Sequence, residues 1–202
     1  MFQSETMPQP QQHTGKRLFD LLFSLVLLPI VLPVLCIIWL LASISTRSNG
    51  WFVQTRIGQE GKSFKLYKIR TLKGHNHQDV LEMKAMETGF GRWLRATKLD
   101  ELPQVFNVLK GDMSWVGPRP DIPGYADLLQ GEDRLLLSVK PGITGPATLK
   151  YRNEEQLLLE QSNPKVYNDT IIWPDKVRIN NQYVKEWSFW KDLDYLWHSI
   201  FS

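Results

Sequence analysis

At 202 residues, with 43% hydrophobic and 11% aromatic content, the chain can bury one real core, which excludes wholesale disorder. Its 24 basic and 21 acidic residues lie in mixed-sign segments and leave a formal charge of +3, too little for a nucleic-acid stripe and better suited to local anion sites or a membrane surface. One cysteine, Cys36, excludes an internal disulfide framework and, with four scattered histidines, disfavours structural zinc.

Residues 1–15 are rich in Gln, Pro and Ser, lack an apolar period, and read as a disordered tail. From Leu21 to Thr46 no residue is charged. As a helix this stretch would extend ~39 Å, longer than a hydrocarbon core of about 30 Å. It is too long for a signal-peptide apolar region of about 7–15 residues. Pro29 and Pro33 lie four apart, so their bends add on one face and free the carbonyls of Leu25 and Pro29. Lys16 and Arg17 precede the stretch; Arg47, Arg56, Lys62 and Lys65 follow it. Basic flanks at both ends place both on one side of a membrane. The expectation is a re-entrant helix–break–helix over 16–47, with a single spanning helix as the rival. The freed carbonyls need protein or headgroup partners.

Residues 51–57 and 63–72 flank Gly58-Gln-Glu-Gly61 and predict a β-hairpin. Lys68 and Arg70, two apart, share a face: either a solvated face or a basic floor for phosphate. His75-x-His77 falls in a loop-like segment and reads as solvated loop histidines rather than a metal pair. Residues 79–97 predict a helix interrupted near Gly89-Phe-Gly91. Leu102, Val105, Phe106 and Leu109 predict a short helix over 101–110. A helix is expected over 125–138 and a loop over 141–146. Tyr183, Trp187, Trp190, Leu193, Trp197 and Ile200 predict one amphipathic helix over 180–201, its aromatic face packed in the core or lying at a membrane interface.

Chemistry concentrates between Arg95 and Pro120. Asp100 and Glu101 are adjacent acids beside Pro103, which is well tolerated only in a first helical turn. Asp100 is therefore the expected N-cap, with Glu101 in the first turn; the same place suits a phosphate. Neighbours on a helix diverge by about 100°, so the two carboxylates take different roles. Arg95 and Lys98 lie close upstream, and Arg119 sits in the stiff loop Gly117-Pro118-Arg119-Pro120. No Ser-His-Asp or Cys-His arrangement, GxGxxG or GxxxxGK[ST] is present. A hard cation held by few carboxylates and substrate phosphates fits Mg2+ best.

The chain resembles the small monotopic phosphoglycosyltransferases, bacterial sugar transferases that start glycan assembly on a polyprenol phosphate. The resemblance runs through Lys16-Arg-Leu-Phe-Asp20, residues 64–71, residues 95–114, Val116-Gly-Pro-Arg-Pro120 and Lys140-Pro-Gly-Ile-Thr-Gly145. It implies transfer of a sugar phosphate from a UDP-sugar to a polyprenol phosphate with release of UMP. Asp100 matches the family's nucleophile, which forms an acyl-phosphate with Mg2+ bound, and Glu101 completes the dyad. Arg95 matches a phosphate-site residue, Pro118, Arg119 and Pro120 a nucleotide-proximal loop, and Lys68 a basic residue near the active site; Arg70 shares that strand face. The implied surroundings are the bacterial cytoplasmic membrane, with the catalytic domain, residues 48–202, facing the cytoplasm. No nucleic-acid partner is expected, and a homodimer is one option. The expected fold is mainly α with a small β-hairpin, a re-entrant membrane element and interfacial amphipathic helices. Two stretches depart from the family pattern. Leu32-Pro33 stands where Ser-Pro is common, and residues 146–155 replace a Trp-containing sequence. A non-enzymatic bitopic membrane protein binding anionic lipid or a partner is the rival reading; an enzyme with a soluble sugar acceptor is a third.

Overall fold

A computed structural model describes residues 14–74 and 80–201. Of the tail expected over 1–15, residues 1–13 lie outside the described residues, as do His75 and His77, whereas residues 14 and 15 belong to the first helix. Helix α1 (Thr14–Thr46) runs without interruption, with Pro29 and Pro33 inside it. The expected break is therefore not a gap between two helices. Each proline removes only one donor, and with both on one face the opposite face keeps its ladder. Ser24, Ser43 and Thr46 each donate a side-chain hydrogen bond to the carbonyl four residues back, at 2.7–2.8 Å.

Asp20, Ser24, Val31, Leu35, Ile38, Ala42 and Thr46 are buried, with Leu27 and Leu28 packed between. Their spacing of three to four and its multiples makes one continuous stripe on α1. The other faces are apolar and exposed: Leu22, Val26, Ile30, Val34, Ile37, Leu41 and Ile44.

Strands β1 (Trp51–Ile57) and β2 (Ser63–Ile69) form the expected antiparallel hairpin, Trp51 opposite Ile69 and Ile57 opposite Ser63. Helices α2 (Val80–Met86) and α3 (Gly89–Ala96) replace the single interrupted helix. The interruption falls at Glu87–Thr88, because Thr88 caps α3 by accepting from Gly91 N at 2.8 Å. A Cβ on Gly91 would lie 2.1 Å from the Thr71 carbonyl, so only glycine allows α3 this close to the end of β2.

A 3-10 turn (Leu99–Glu101) and helix α4 (Gln104–Lys110) follow, then β3 (Ser114–Val116). The helix expected over 125–138 is instead two 3-10 segments, Ala126–Leu128 and Gly131–Ser138. Here the Asn181 amide receives the Leu136 N–H and donates to the carbonyls of Glu132 and Asp133, taking the place of α-helical bonds. The expected loop at 141–146 contains β4 (Gly142–Thr144), which pairs in parallel with β3.

Helices α5 (Pro146–Lys150), α6 (Glu154–Leu159) and α7 (Pro164–Tyr167) lead through a π turn (Asn168–Ile172) to α8 (Trp173–Lys185) and α9 (Phe189–Phe201). The helix expected over 180–201 is thus two helices, and its aromatic face divides. Tyr183 donates to Asp192 at 2.8 Å and Trp187 at 3.0 Å, both facing inward. Trp190 and Trp197 face outward, 77% and 61% exposed.

The fold is mainly helical with one small hairpin, as expected. Its main core joins the α1 stripe to Ile69, Leu94 and Val105.

Candidate active site

The acidic pair enters the site through a sharp backbone turn. Lys98 adopts a left-handed conformation (φ 58°), which ends α3 and starts the 3-10 turn carrying Asp100 and Glu101. A non-glycine residue there stores roughly 1–2 kcal/mol of strain. The expected N-cap role for Asp100 does not occur. Pro103 stands at the start of α4, and Asp100 lies inside the preceding turn. Both acids are 7% exposed.

Their surroundings differ. Glu101 receives Lys68 Nζ at 2.8 Å on Oε1, and Arg119 clasps both oxygens, at 2.5 Å and 3.4 Å. Burial works against the Glu101 charge, but Arg119 and Lys68 outweigh it and hold the carboxyl well below its usual range. Asp100 lacks such a clasp: its Oδ1 is buried with no hydrogen-bond partner. Burial pushes its pKa up, the Glu101 charge adds to this, and Lys68, Lys98 and Arg119 oppose it. One carboxylate is thus a fixed anion that orients two cations. The other is a poorly solvated oxygen with an unspent lone pair, the condition for attack on an electrophile or for binding a hard cation.

Each partner is positioned by a separate device. Lys68 is on β2, which Asn107 of α4 hooks by donating to Lys65 O at 2.7 Å and accepting from Tyr67 N at 3.1 Å. The Pro118–Pro120 loop leaves β3. Gly117 N donates to Thr144 O at 2.9 Å, and Gly142 N to Pro118 O at 2.8 Å. A Cβ on Gly142 would lie 2.1 Å from Gly117 N, so the parallel pair tolerates only glycine at this contact. Arg56 reaches the far end of the loop, donating to Pro120 O at 3.2 Å, and its buried Nε has no partner. The far end of α4 is held by Arg17, which donates to Val108 O at 2.6 Å and Leu109 O at 3.1 Å, a cation at a helix C-terminus.

Of the residues expected at the site, Asp100, Glu101, Lys68 and the Pro118-Arg119-Pro120 loop come together. Arg70 and Arg95 do not join the clasp. Arg70 donates to Asn49 O at 2.9 Å and lies over the Phe52 ring, beyond the end of β2. Arg95 pairs with Glu155 and lies 3.8 Å from Glu87.

Asn107, Arg56, Asp121, Glu154 and Lys176 also surround the site without having been marked by the sequence, the last three beside Arg119 or Asp121. Asp121, two residues past Arg119, carried a readable signal as an acid beside a proline-stiffened arginine. The others depend on long-range packing.

Among the described residues no three or more His, Cys, Asp or Glu side chains gather to hold a metal by themselves. The donor set fits a hard cation only as one carboxylate, Asp100, supplemented by ligands that arrive with a substrate.

The bacterial sugar transferase family model matches residues 11–202. The chain is 36% identical over 194 residues to the UDP-glucose:undecaprenyl-phosphate glucose-1-phosphate transferase of Escherichia coli (strain K12), covering 92% of this chain and 39% of that protein. It is 36% identical over 183 residues to the uncharacterized sugar transferase EpsL of Bacillus subtilis (strain 168), covering 90% and 83%. It is 31% identical over 199 residues to the undecaprenyl-phosphate galactose phosphotransferase of Salmonella typhimurium, covering 88% and 38%. The chain spans about two fifths of the length of the Escherichia coli and Salmonella relatives.

Proposed function

The chain belongs to the bacterial sugar transferase family, and from that premise we propose that it transfers a sugar phosphate from a UDP-sugar to a polyprenol phosphate, undecaprenyl phosphate in bacteria, releasing UMP. The observation that carries this reading is the asymmetry of the dyad: Glu101 is fully engaged, and Asp100 Oδ1 is buried and unpartnered.

In the first half-reaction the Asp100 carboxylate attacks the phosphorus that bears the sugar. An acyl-phosphate bond forms, the bond to the UMP oxygen breaks, and UMP leaves with the electron pair. A phosphate oxygen of the polyprenol phosphate then attacks the same phosphorus and frees Asp100. Arg119 and Lys68, aligned by Glu101, face the charge that builds on the phosphoryl oxygens. Mg2+ fits the unpartnered Asp100 oxygen together with donor phosphates, and would supply charge neutralisation there. Arg95, matched by resemblance to a phosphate-site residue, would have to leave Glu155 to contribute.

The reading of membrane placement is supported by α1. Its first turns are tied to the folded domain: Asp20 Oδ1 accepts from Ser114 Oγ and Trp115 N, each at 3.1 Å, and Lys16 pairs with Asp192. Its other end returns to the same domain, where Arg70 N donates to Gly50 O at 2.7 Å. A helix anchored at both ends to one polar body, with its remaining faces apolar, suits a re-entrant element that dips into one leaflet. Trp190, Trp197 and Phe201 on α9 extend that amphiphilic surface as an interfacial helix. We place the catalytic domain on the cytoplasmic face of a bacterial membrane, at the first membrane step of surface-glycan assembly.

The test is UMP release from UDP-sugars with undecaprenyl phosphate and Mg2+. Asp100→Ala abolishes release, and wild type trapped without acceptor carries a phospho-sugar mass on Asp100. Full release by Asp100→Ala would sink the mechanism, and no release by wild type with any UDP-sugar would favour the non-enzymatic lipid- or partner-binding reading.

A further inference from the structure

Beside the dyad lies a second charged cluster that the transfer mechanism does not use. Asp121 lies two residues past Arg119 in the same loop. The backbone there is clamped: Ile57 N donates to Asp121 O at 2.9 Å and Arg56 to Pro120 O at 3.2 Å. The half-buried Asp121 carboxylate makes no ion pair or side-chain hydrogen bond with a described residue, although Lys176, Arg56 and Arg119 face it as cations and Glu154 as an anion. Of these, Lys176 Nζ donates to both oxygens of Glu154 at 2.6 Å and lies 5.7 Å from the centre of the Tyr151 ring. Glu154 in turn faces Arg119.

This composition does not suit a phosphate. A carboxylate with spare acceptor capacity repels phosphate oxygens, whereas neutral hydroxyls satisfy it. Next to a phosphate-binding arginine, the neutral polar part of a glycosyl phosphate is its sugar ring.

We propose that Asp121, Glu154 and Lys176 form a polyol subsite that holds the transferred sugar and discriminates among sugars. Asp121 and Glu154 accept hydrogen bonds from ring hydroxyls, and Lys176 donates one. The subsite rests on the transferase reading above and names which part of the chain reads the sugar. A buried acceptor built for one hydroxyl pattern is left unpaired by the wrong epimer, which is how such a site rejects it.

The experiment has a binding arm and a turnover arm, both on the full chain in lipid nanodiscs. In the first, titration calorimetry compares inorganic phosphate with glucose 1-phosphate, galactose 1-phosphate and their N-acetylamino counterparts. Wild type binds at least one sugar phosphate more tightly than phosphate. In Asp121→Asn and in Glu154→Gln that preference falls about 10- to 100-fold, with phosphate affinity unchanged. In the second arm, UMP release from the corresponding UDP-sugars is compared with release from 2′-deoxyuridine analogues. Asp121→Asn levels the ranking among sugars and leaves the ribose preference intact.

A wild type that binds sugar phosphates no better than phosphate overturns the subsite. So does a variant that lowers every donor equally, or one whose lost selectivity is for ribose. Sugar-phosphate selectivity without UMP release from any donor supports the subsite and overturns the transfer reaction.

Discussion

Asp100 and Glu101 are adjacent in the chain and opposite in condition. Glu101 stays ionised because two cations outweigh its burial, whereas Asp100 is pushed up by burial and by Glu101 itself. Replacing Glu101 with Gln removes that repulsion, so the acid limb of the rate profile, which reports Asp100 ionisation, moves to lower pH. At the same time kcat falls about 10²- to 10³-fold, because Arg119 and Lys68 lose their alignment. A limb that stays in place would mean the two carboxylates are not coupled. Asp121 gives a stability test with a definite sign. Its carboxyl is pushed up to about 6 by burial, with Lys176 and Arg56 opposing, against an ordinary 3.8. Between those values the folded chain holds a proton that the unfolded chain has released. Stability therefore falls as pH rises through that window and stays lowered above it. Asp121→Asn removes the penalty, so the variant gains on the order of 1–2 kcal/mol relative to wild type at pH 7.5 and little at pH 4, readable as a difference in Tm. A stabilising substitution that removes sugar selectivity is the trade expected of a functional site.

Among elements, the informative one is the clasp between α4 and β2. Asn107 is fully buried and satisfies one carbonyl and one N–H of β2. Asn107→Ala leaves both groups unpaired and is expected to cost about 2–3 kcal/mol in urea unfolding, and to lower activity further because Lys68 drifts from Glu101. A loss below about 0.5 kcal/mol would show that water replaces the amide. The sequence marked α4 by its apolar spacing and the hairpin by the glycine-bounded turn between two strand-like runs. It did not mark the clasp, because an asparagine in a helix carries no periodic signal. It misread 125–138 as α-helix for a related reason. Asn181, distant in sequence, takes the backbone groups of the segment. The parallel β3–β4 pair was hidden because each strand is three residues long and its partner lies beyond two 3-10 segments.

For the whole molecule, the decisive relation is between α1 and everything else. With Cys36 replaced by Ser, single cysteines at Gly15→Cys and Arg47→Cys should both react with an impermeant maleimide from the cytoplasmic side and neither from outside; labelling on opposite sides would make α1 a spanning helix. The apolar length, the basic flanks and the two prolines are local facts, and from them the sequence by itself raised the expectation of a membrane element, with which the long apolar helix α1 is consistent. It also marked the candidate site residues, because Asp100, Glu101 and the Arg119 loop sit in one short tract. Only the tertiary structure decided their conditions. Whether a carboxylate is clasped or left with a free oxygen depends on β2 and the β3 loop converging on it, which are contacts between residues far apart in the chain. The same holds for Arg70 and Arg95, placed at the site by proximity in sequence and held elsewhere by Asn49, Glu87 and Glu155. Spacing along the chain sets which residue types are available; burial and partnership, which set their charge and reactivity, arise only when distant segments pack together.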